Sequence, residues 1–157
     1  MDLTRTRAGI FALAMLAAAA AASCAVPDVA GSYRLDLVSH DSACPDRDIA
    51  DRLDQIELEI VQDGRNVNAT LRVLPVLAEI DLVGETLGAG VELRSIDTFP
   101  GERVGACRMT YAYRLLLDVD AAGRVSGMLV QEGANPASGC PEKCIATWRV
   151  SGRRAEP

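Results

Sequence analysis

The sequence predicts an all-β protein, an eight-stranded antiparallel up-and-down barrel within a chain of 157 residues. Two observations indicate this fold. Apolar and polar residues alternate with a period of two through most of the chain, and turn-forming residues interrupt that alternation repeatedly. Eight consecutive antiparallel strands with one apolar face can close into a barrel, which removes exposed strand edges. A two-sheet β-sandwich is the alternative.

Alternation bounded by Gly, Asp and Asn defines the predicted strands. The segment "GSYRLDLVS" places Tyr33, Leu35 and Leu37 on one face and Arg34 and Asp36 on the other. The segments "QIELEIV" and "NVNATLRV" alternate in the same way. The strands are predicted over residues 30–38, 55–62, 65–74, 78–84, 90–97, 108–120, 124–132 and 144–152, with one short helix over 46–54.

Two turns predict the strand register. Asp63 and Gly64 form a preferred two-residue hairpin loop, which sets Ile60 opposite Val67 and keeps apolar residues opposite apolar ones. Residues 121–123 form a three-residue loop that ends on a glycine, as that loop type requires. The second register pairs Val119 with Val125, Leu117 with Gly127 and Leu115 with Leu129.

The predicted loops differ in length at the two ends of the barrel. Those after the first, fifth and seventh strands are long, and odd-numbered loops share one end of an up-and-down barrel. Four cysteines fall in these loops or at their edges, so they are expected at one mouth: Cys44, Cys107, Cys140 and Cys144. Four cysteines allow three pairings. Because the first and last strands are neighbours in a closed barrel, we favour Cys44–Cys144 with Cys107–Cys140.

The N-terminus has the layout of a secretory signal peptide. Arg5 and Arg7 precede an uncharged apolar run that ends in small residues. The segment "AASC" resembles a bacterial lipobox, in which cleavage precedes the cysteine and a diacylglycerol is attached to its sulfur. We therefore predict a signal peptide over 1–23, a lipidated Cys24 and tether over 24–30, and one barrel domain over 31–157.

Cysteine parity fits lipidation, because the chain has five cysteines and a lipid on Cys24 leaves four for two disulfides. Cleavage after Ala25 would also leave four. The lipobox resemblance implies an outer-membrane lipoprotein facing the periplasm, since Ala25 is not the aspartate that retains lipoproteins in the inner membrane. Without lipid, the protein would be soluble in the periplasm or secreted.

The charge balance argues against two classes of partner. The chain has 16 basic and 22 acidic residues, and removing Asp2, Arg5 and Arg7 with the leader leaves 14 and 21, a net charge of −7. An acidic surface argues against nucleic-acid binding. It also argues against electrostatic docking on anionic lipid, so the predicted membrane attachment depends on the acyl chains.

The aromatic residues are the candidate ligand pocket. Tyr33, Tyr111 and Tyr113 share the inward face of their predicted strands, and Trp148 joins them in one of the two orientations of the last strand. They could line a pocket for a small apolar ligand. Alternatively they belong to a filled core, since eight strands enclose an interior just wide enough for side chains.

A second candidate site is an apolar strip on the outer wall. The register of the second hairpin places Leu116 opposite Met128 on that wall, with Val130 beside them and Ile145 on the same side. A contiguous apolar patch often marks an interface. The alternative is a small strip partly covered by the stems of neighbouring arginines.

No catalytic, metal or cofactor site is predicted. His40 is the only histidine, and its neighbours Ser39 and Asp41 are adjacent in sequence, whereas a catalytic triad is assembled by geometry across the fold. The acidic run over 46–54 lacks the glycine and closing glutamate of an EF-hand. We therefore expect a protein that is not an enzyme.

The layout resembles the lipocalin group of small eight-stranded barrels. In that family a Gly-x-Trp motif opens the first strand, and an arginine after the last strand packs over the tryptophan. Here Gly31-Ser32-Tyr33 stands at the first place, and Arg153 or Arg154 at the second. The resemblance implies binding of a small apolar ligand at the open end.

Two functional hypotheses follow. The first is a non-enzymatic envelope lipoprotein that binds a small apolar ligand inside the barrel. The second is a protein-interaction or inhibitor module that acts through its long disulfide-linked loops or its outer wall.

Overall fold

The structure is a computed structural model that describes residues 26–44, 55–74, 78–104, 107–135, 139–140 and 142–155. The signal peptide, Cys24 and the predicted helix over 46–54 lie outside these residues. The described part contains nine strands: β1 (Gly31–Ser42), β2 (Gln55–Asp63), β3 (Asn66–Leu74), β4 (Ala78–Leu87), β5 (Gly90–Ser95), β6 (Phe99–Val104), β7 (Cys107–Val119), β8 (Arg124–Ala134) and β9 (Lys143–Arg154).

Eight of these strands form a closed antiparallel barrel, as the alternation predicts. Strands β1 to β5 pair with one another in sequence order, as do β7 to β9; in addition, β9 pairs with β1 and β5 pairs with β7. The pairing of β5 with β7 closes the sheet on itself, which excludes the two-sheet sandwich. One end carries the short turns at 64–65, 88–89 and 120–123, together with the start of β1 and the C-terminal end of β9. We call it the short-loop end. The opposite end is the mouth.

Residues 98–107 are predicted to form a loop, and this prediction is wrong for most of the segment, because residues 99–104 form strand β6. This strand continues the line of β5 along the same edge of β7: Arg94 lies opposite Arg114, and Phe99 lies opposite Tyr111. The two pieces are separated by an interruption at 96–98. Pro100 and Gly101 weaken the strand pattern in the sequence, since both residue types are depleted in strands. The mouth is therefore extended on this side by a hairpin.

The register predicted for the first hairpin is wrong by two residues. Asp63 stays in the strand opposite Asn66, and the turn consists of Gly64 and Arg65, so Ile60 lies opposite Ala69. Gly64 has a φ of 60°, which glycine adopts without the steric cost that a side chain imposes. A shift of two residues leaves every side chain on its predicted face, because the side-chain period of a strand is two.

The register predicted for the second hairpin is confirmed. Val119 lies opposite Val125, Leu117 opposite Gly127 and Leu115 opposite Leu129. Gly123 closes the turn with a φ of 73°. The outward pairing of Leu116 with Met128 follows from the same register and is also present.

Inward side chains from all eight barrel strands meet in one continuous apolar cluster. Its largest fully buried members include Trp148, Tyr33, Tyr111 and Met109. An apolar cluster that contains side chains from every strand stabilises the barrel by removing their surface from water.

Two disulfides cross-link the chain at the mouth. Cys44, just after β1, is bonded to Cys144 in β9, and Cys107 at the start of β7 is bonded to Cys140. This is the pairing that the neighbouring positions of the first and last strands favour. Disulfides persist in oxidising compartments, which indicates a location outside the cytoplasm.

We predict that the two disulfides contribute unequally to stability. They close loops with sequence separations of 100 and 33 residues. Loop-closure entropy gives about 4.7 kcal/mol for the longer loop and about 1 kcal/mol less for the shorter one. Urea unfolding of the Cys44→Ser/Cys144→Ser and Cys107→Ser/Cys140→Ser proteins measures this order. A larger loss in the second protein would contradict it.

Candidate functional site

The structure places one of the four predicted pocket residues, Tyr33, far from Trp148. Tyr33 lies near the short-loop end, opposite Arg154, whereas Trp148 lies six residues earlier on β9, or about 20 Å along the strand. Tyr111 lies near the mouth, beside Gly133 and Cys144. Tyr33, Tyr111 and Trp148 are all buried members of the apolar cluster.

Tyr113 occupies a different environment from the other three aromatic residues. It is half-buried at the margin of the cluster, where its ring meets that of Phe99 edge-to-face at 5.8 Å between centroids. Opposite Tyr113 on β8 lies Gln131, whose side chain is buried although it is polar. Gln131 is not among the residues that the sequence predicts for the site. The alternation of β8 would have identified it as inward-facing.

The N-terminal segment closes the short-loop end. Val29 is completely buried there, and its backbone carbonyl accepts a hydrogen bond from the Tyr33 hydroxyl at 2.7 Å. The side-chain amide of Gln62 binds the same segment twice: its oxygen accepts from Val29 N–H, and its nitrogen donates to Pro27 O. This end of the barrel is therefore sealed by residues 26–30.

Arg154 completes the seal from the end of β9. Its guanidinium lies 5.6 Å from the centroid of the Tyr33 ring and donates to the Tyr33 hydroxyl at 3.1 Å and to Asp28 O at 2.9 Å. The hydrogen bond to Tyr33 raises the pKa of Arg154 above its ordinary value. Of the two arginines that the lipocalin resemblance offers, Arg154 is the one that packs over the ring.

The outer-wall strip is shorter than the sequence predicts. Met128 and Ile145 are 40% and 54% exposed, but Val130 is only 4% exposed although it faces outward. Val130 lies opposite Arg114 on one side and Thr147 on the other. Because Val130 is buried, it separates Ile145 from Met128, and the four residues do not form one contiguous patch.

A depression of about 470 Å³ lies on the outer wall at the part of this strip that contains Leu116 and Met128. We call it the outer-wall groove. Its apolar side chains include Leu116, Met128 and Leu87, the last from the end of β4 and 46% exposed. Gly90 and Gly127 line it as well, and a methyl group on either would overlap a carbonyl oxygen of β7. The glycines therefore permit the close strand approach on which the groove depends.

One row of directly opposed residues crosses the groove. Glu92 lies opposite Leu116, Leu116 opposite Met128, and Met128 opposite Arg149. Glu92 accepts a hydrogen bond from Arg94 at 2.8 Å, whereas no ion pair among the described residues involves Arg149. The groove thus has an apolar centre and, at one side, a guanidinium that is in no ion pair with the described residues. Arg149 is one of the neighbouring arginines that the sequence already places beside the strip, whereas Glu92 becomes recognisable only when β5 is aligned with β7.

Other kinds of site are not found in the described part of the chain. No three His, Cys, Asp or Glu side chains there come together so that they could hold a metal ion. Among the same residues, no helix has the length and apolar character needed to cross a membrane.

No protein-family model and no curated protein matches this chain.

We predict that Trp148 acts as a core residue. Trp148→Ala should lower the free energy of unfolding by about 3–5 kcal/mol, because it leaves a cavity among buried side chains. Urea unfolding with the disulfides intact measures the loss. Ile145→Ala on the same strand is the control and should change stability by less than about 0.5 kcal/mol, because Ile145 is exposed. A small loss for Trp148→Ala, together with binding of an apolar dye by the unmutated protein, would favour an internal pocket instead.

Proposed function

We propose that this protein is a non-enzymatic, lipid-anchored module of the bacterial envelope that binds a partner protein through its outer-wall groove. The observation that carries the proposal is the contrast between the two faces of the sheet. The inward face is occupied by packed side chains, whereas the outward face has an apolar depression.

The shape of the groove favours a protein over a small ligand. Pockets for small molecules bury most of the ligand surface. The outer-wall groove is open along one side of a sheet and would leave much of such a molecule in water. A partner protein would cover the rim as well as fill the centre, which is the usual arrangement of an apolar interface core with a polar rim.

The charges at the rim specify the chemistry of the partner. Leu116 and Met128 would accept an aliphatic or aromatic side chain, and Arg149 would accept a carboxylate next to it. Glu92 is already matched by Arg94, so it adds little attraction. We therefore propose a partner segment in which an apolar residue is followed or preceded by Asp or Glu.

Three features support the envelope location and the anchor. The two disulfides fit an oxidising compartment. The "AASC" segment resembles a lipobox. The contact of Arg154 with the Tyr33 ring is similar to the arginine–tryptophan contact of the lipocalin group, some of whose bacterial members are lipoproteins. A small apolar ligand in the barrel interior remains the second function to be tested, because the lipocalin resemblance implies it.

We predict that the groove makes a contact that depends on its apolar centre. A photo-reactive amino acid at Met128 should give one discrete cross-linked product in cells. Adding Leu116→Thr should reduce the yield of that product several-fold. The same probe at Val61, an exposed apolar residue of β2 away from the groove, is the matched control and should not give that product.

The double variant Leu116→Thr/Met128→Thr separates binding from folding. Its free energy of unfolding should change by less than about 1 kcal/mol, because neither side chain belongs to the interior cluster. Identical cross-linking from positions 128 and 61 would contradict the groove as an interface. Native mass spectrometry that finds a small apolar molecule retained in the purified protein would instead favour the interior-ligand function.

We predict that Cys24 carries the membrane anchor. Cys24→Ala should move the protein from the membrane fraction to the soluble fraction, or leave the precursor uncleaved, because the diacylglycerol attachment site is lost. Fractionation and the intact mass of the purified protein measure this. An unmutated protein that is soluble and begins at Val26 would contradict the lipobox interpretation.

A further inference from the structure

Charged residues form a row that winds around the outside of the barrel, from the mouth ends of β3 and β4 to the short-loop end at β8 and β9. Following directly opposed positions from β4 to β8 gives Glu79, Arg72, Glu57, Arg34, Arg153 and Arg124. Asp120, in the turn before β8, ends the row by pairing with Arg124. The first four residues alternate in sign, and alternate charges across strands stabilise a sheet. The next two do not: Arg34, Arg153 and Arg124 are three arginines on three adjacent strands.

The flanking carboxylates match only the outer two of these arginines. Arg34 pairs with Glu57 at 3.5 Å, and Arg124 pairs with Asp120 at 2.7 Å. The backbone N–H and the side chain of Arg124 both donate hydrogen bonds to Asp120, which lowers the pKa of that carboxyl. No ion pair among the described residues involves Arg153, although it has an arginine on each side. Like charges in directly opposed positions destabilise a sheet.

This arrangement is unexpected in a protein with a net charge of −6. A bound anion would offset the repulsion between the adjacent arginines, because guanidinium groups bind phosphate oxygens through paired hydrogen bonds. The three arginines also line an open depression of about 1,070 Å³, together with Arg154 and the small residues of the 121–123 turn. Small residues beside the arginines allow a flat anionic surface to approach closely.

The position of the chain's N-terminal segment identifies that surface. Residues 26–30 lie across the short-loop end, where Asp28 contacts Arg154, the neighbour of Arg153. Cys24 precedes Val26 by two residues, a distance of at most about 7 Å along extended chain. An acyl chain on Cys24 would therefore hold the membrane at the end of the barrel that carries the arginines.

We infer that Arg34, Arg124 and Arg153 form a docking surface for the phosphate groups of anionic phospholipids, which orients the barrel on the membrane. This inference rests on the proposed anchor at Cys24. Net charge alone argues against such docking, but the attraction of a basic residue to an anionic membrane acts within about 8 Å at physiological salt. The local arrangement of the arginines therefore decides the interaction, rather than the total charge.

The test is chemical labelling of arginine side chains by phenylglyoxal, located by mass spectrometry, on the purified exported protein. The protein is examined with vesicles of phosphatidylcholine alone and with vesicles that also contain phosphatidylglycerol. Arg72 and Arg94 are exposed and serve as internal controls. Arg72 belongs to the same row but lies near the mouth end of β3, two strands from Arg34, and Arg94 lies on β5. Arg34, Arg124 and Arg153 should be labelled about five-fold more slowly on the anionic vesicles, the factor expected for a basic residue near such a surface. High salt should restore their labelling.

Variants with equal net charge provide the second arm. Arg34→Gln/Arg153→Gln should abolish the protection of Arg124, whereas Arg72→Gln/Arg94→Gln should leave it unchanged. Equal labelling of all five arginines on both kinds of vesicle would overturn the inference. Protection by inorganic phosphate without vesicles would identify a site for a free anion and would also overturn it.

The outcome distinguishes this inference from the proposed anchor. A lipidated, membrane-bound protein whose arginines react equally on both vesicles would retain the anchor and refute the docking surface. A protein without lipid whose arginines are protected only by anionic vesicles would refute the anchor and support the docking surface.

Discussion

The pairing of β5 with β7 is the constraint on which the structure depends. Without it the eight barrel strands would form an open sheet with β5 at one edge, and the inward side chains would lack the neighbours that bury them. With it, every barrel strand has two partners, and the period-two alternation of each strand gives an apolar interior and a largely polar exterior. The same pairing brings Glu92 opposite Leu116 and so creates the outer-wall groove. Closure therefore determines the core and the candidate interface together.

The alternation in the sequence was sufficient to predict which side chains face inward, because that assignment depends only on the period of the strand. It was insufficient for the register of the first hairpin, since registers that differ by two residues satisfy the same alternation. In the structure Gly64 opens the turn with a φ of 60°, and Asp63 stays in the strand opposite Asn66. The second hairpin was predictable because its glycine follows two alanines and leaves one reasonable turn. Strand β6 was hidden by Pro100 and Gly101, whose propensities oppose a strand that tertiary pairing with β7 nevertheless forms.

The candidate sites depend on which residues are brought together, and this limits their prediction from sequence. Val130 alternates outward and was expected to be exposed, yet its neighbours across β7 and β9 bury it. The arginines at 34, 124 and 153 are far apart in the chain, and only the ring order β1, β9, β8 makes them adjacent. Composition averages such residues into one net charge. A sheet instead distributes them along rows, in which a single side chain can have two neighbours of its own sign.

The adjacency of β1 and β9 has a consequence for how the chain could be rearranged. Tyr33 and Arg154 lie opposite one another, so the first and last strands end side by side at the short-loop end. Joining them and opening the chain at the 64–65 or 88–89 turn would give a circular permutant that keeps every strand pairing. The new N- and C-termini would both lie at the short-loop end. The strand pairings would therefore tolerate a different order of strands along the chain, with both termini still at the same end of the barrel.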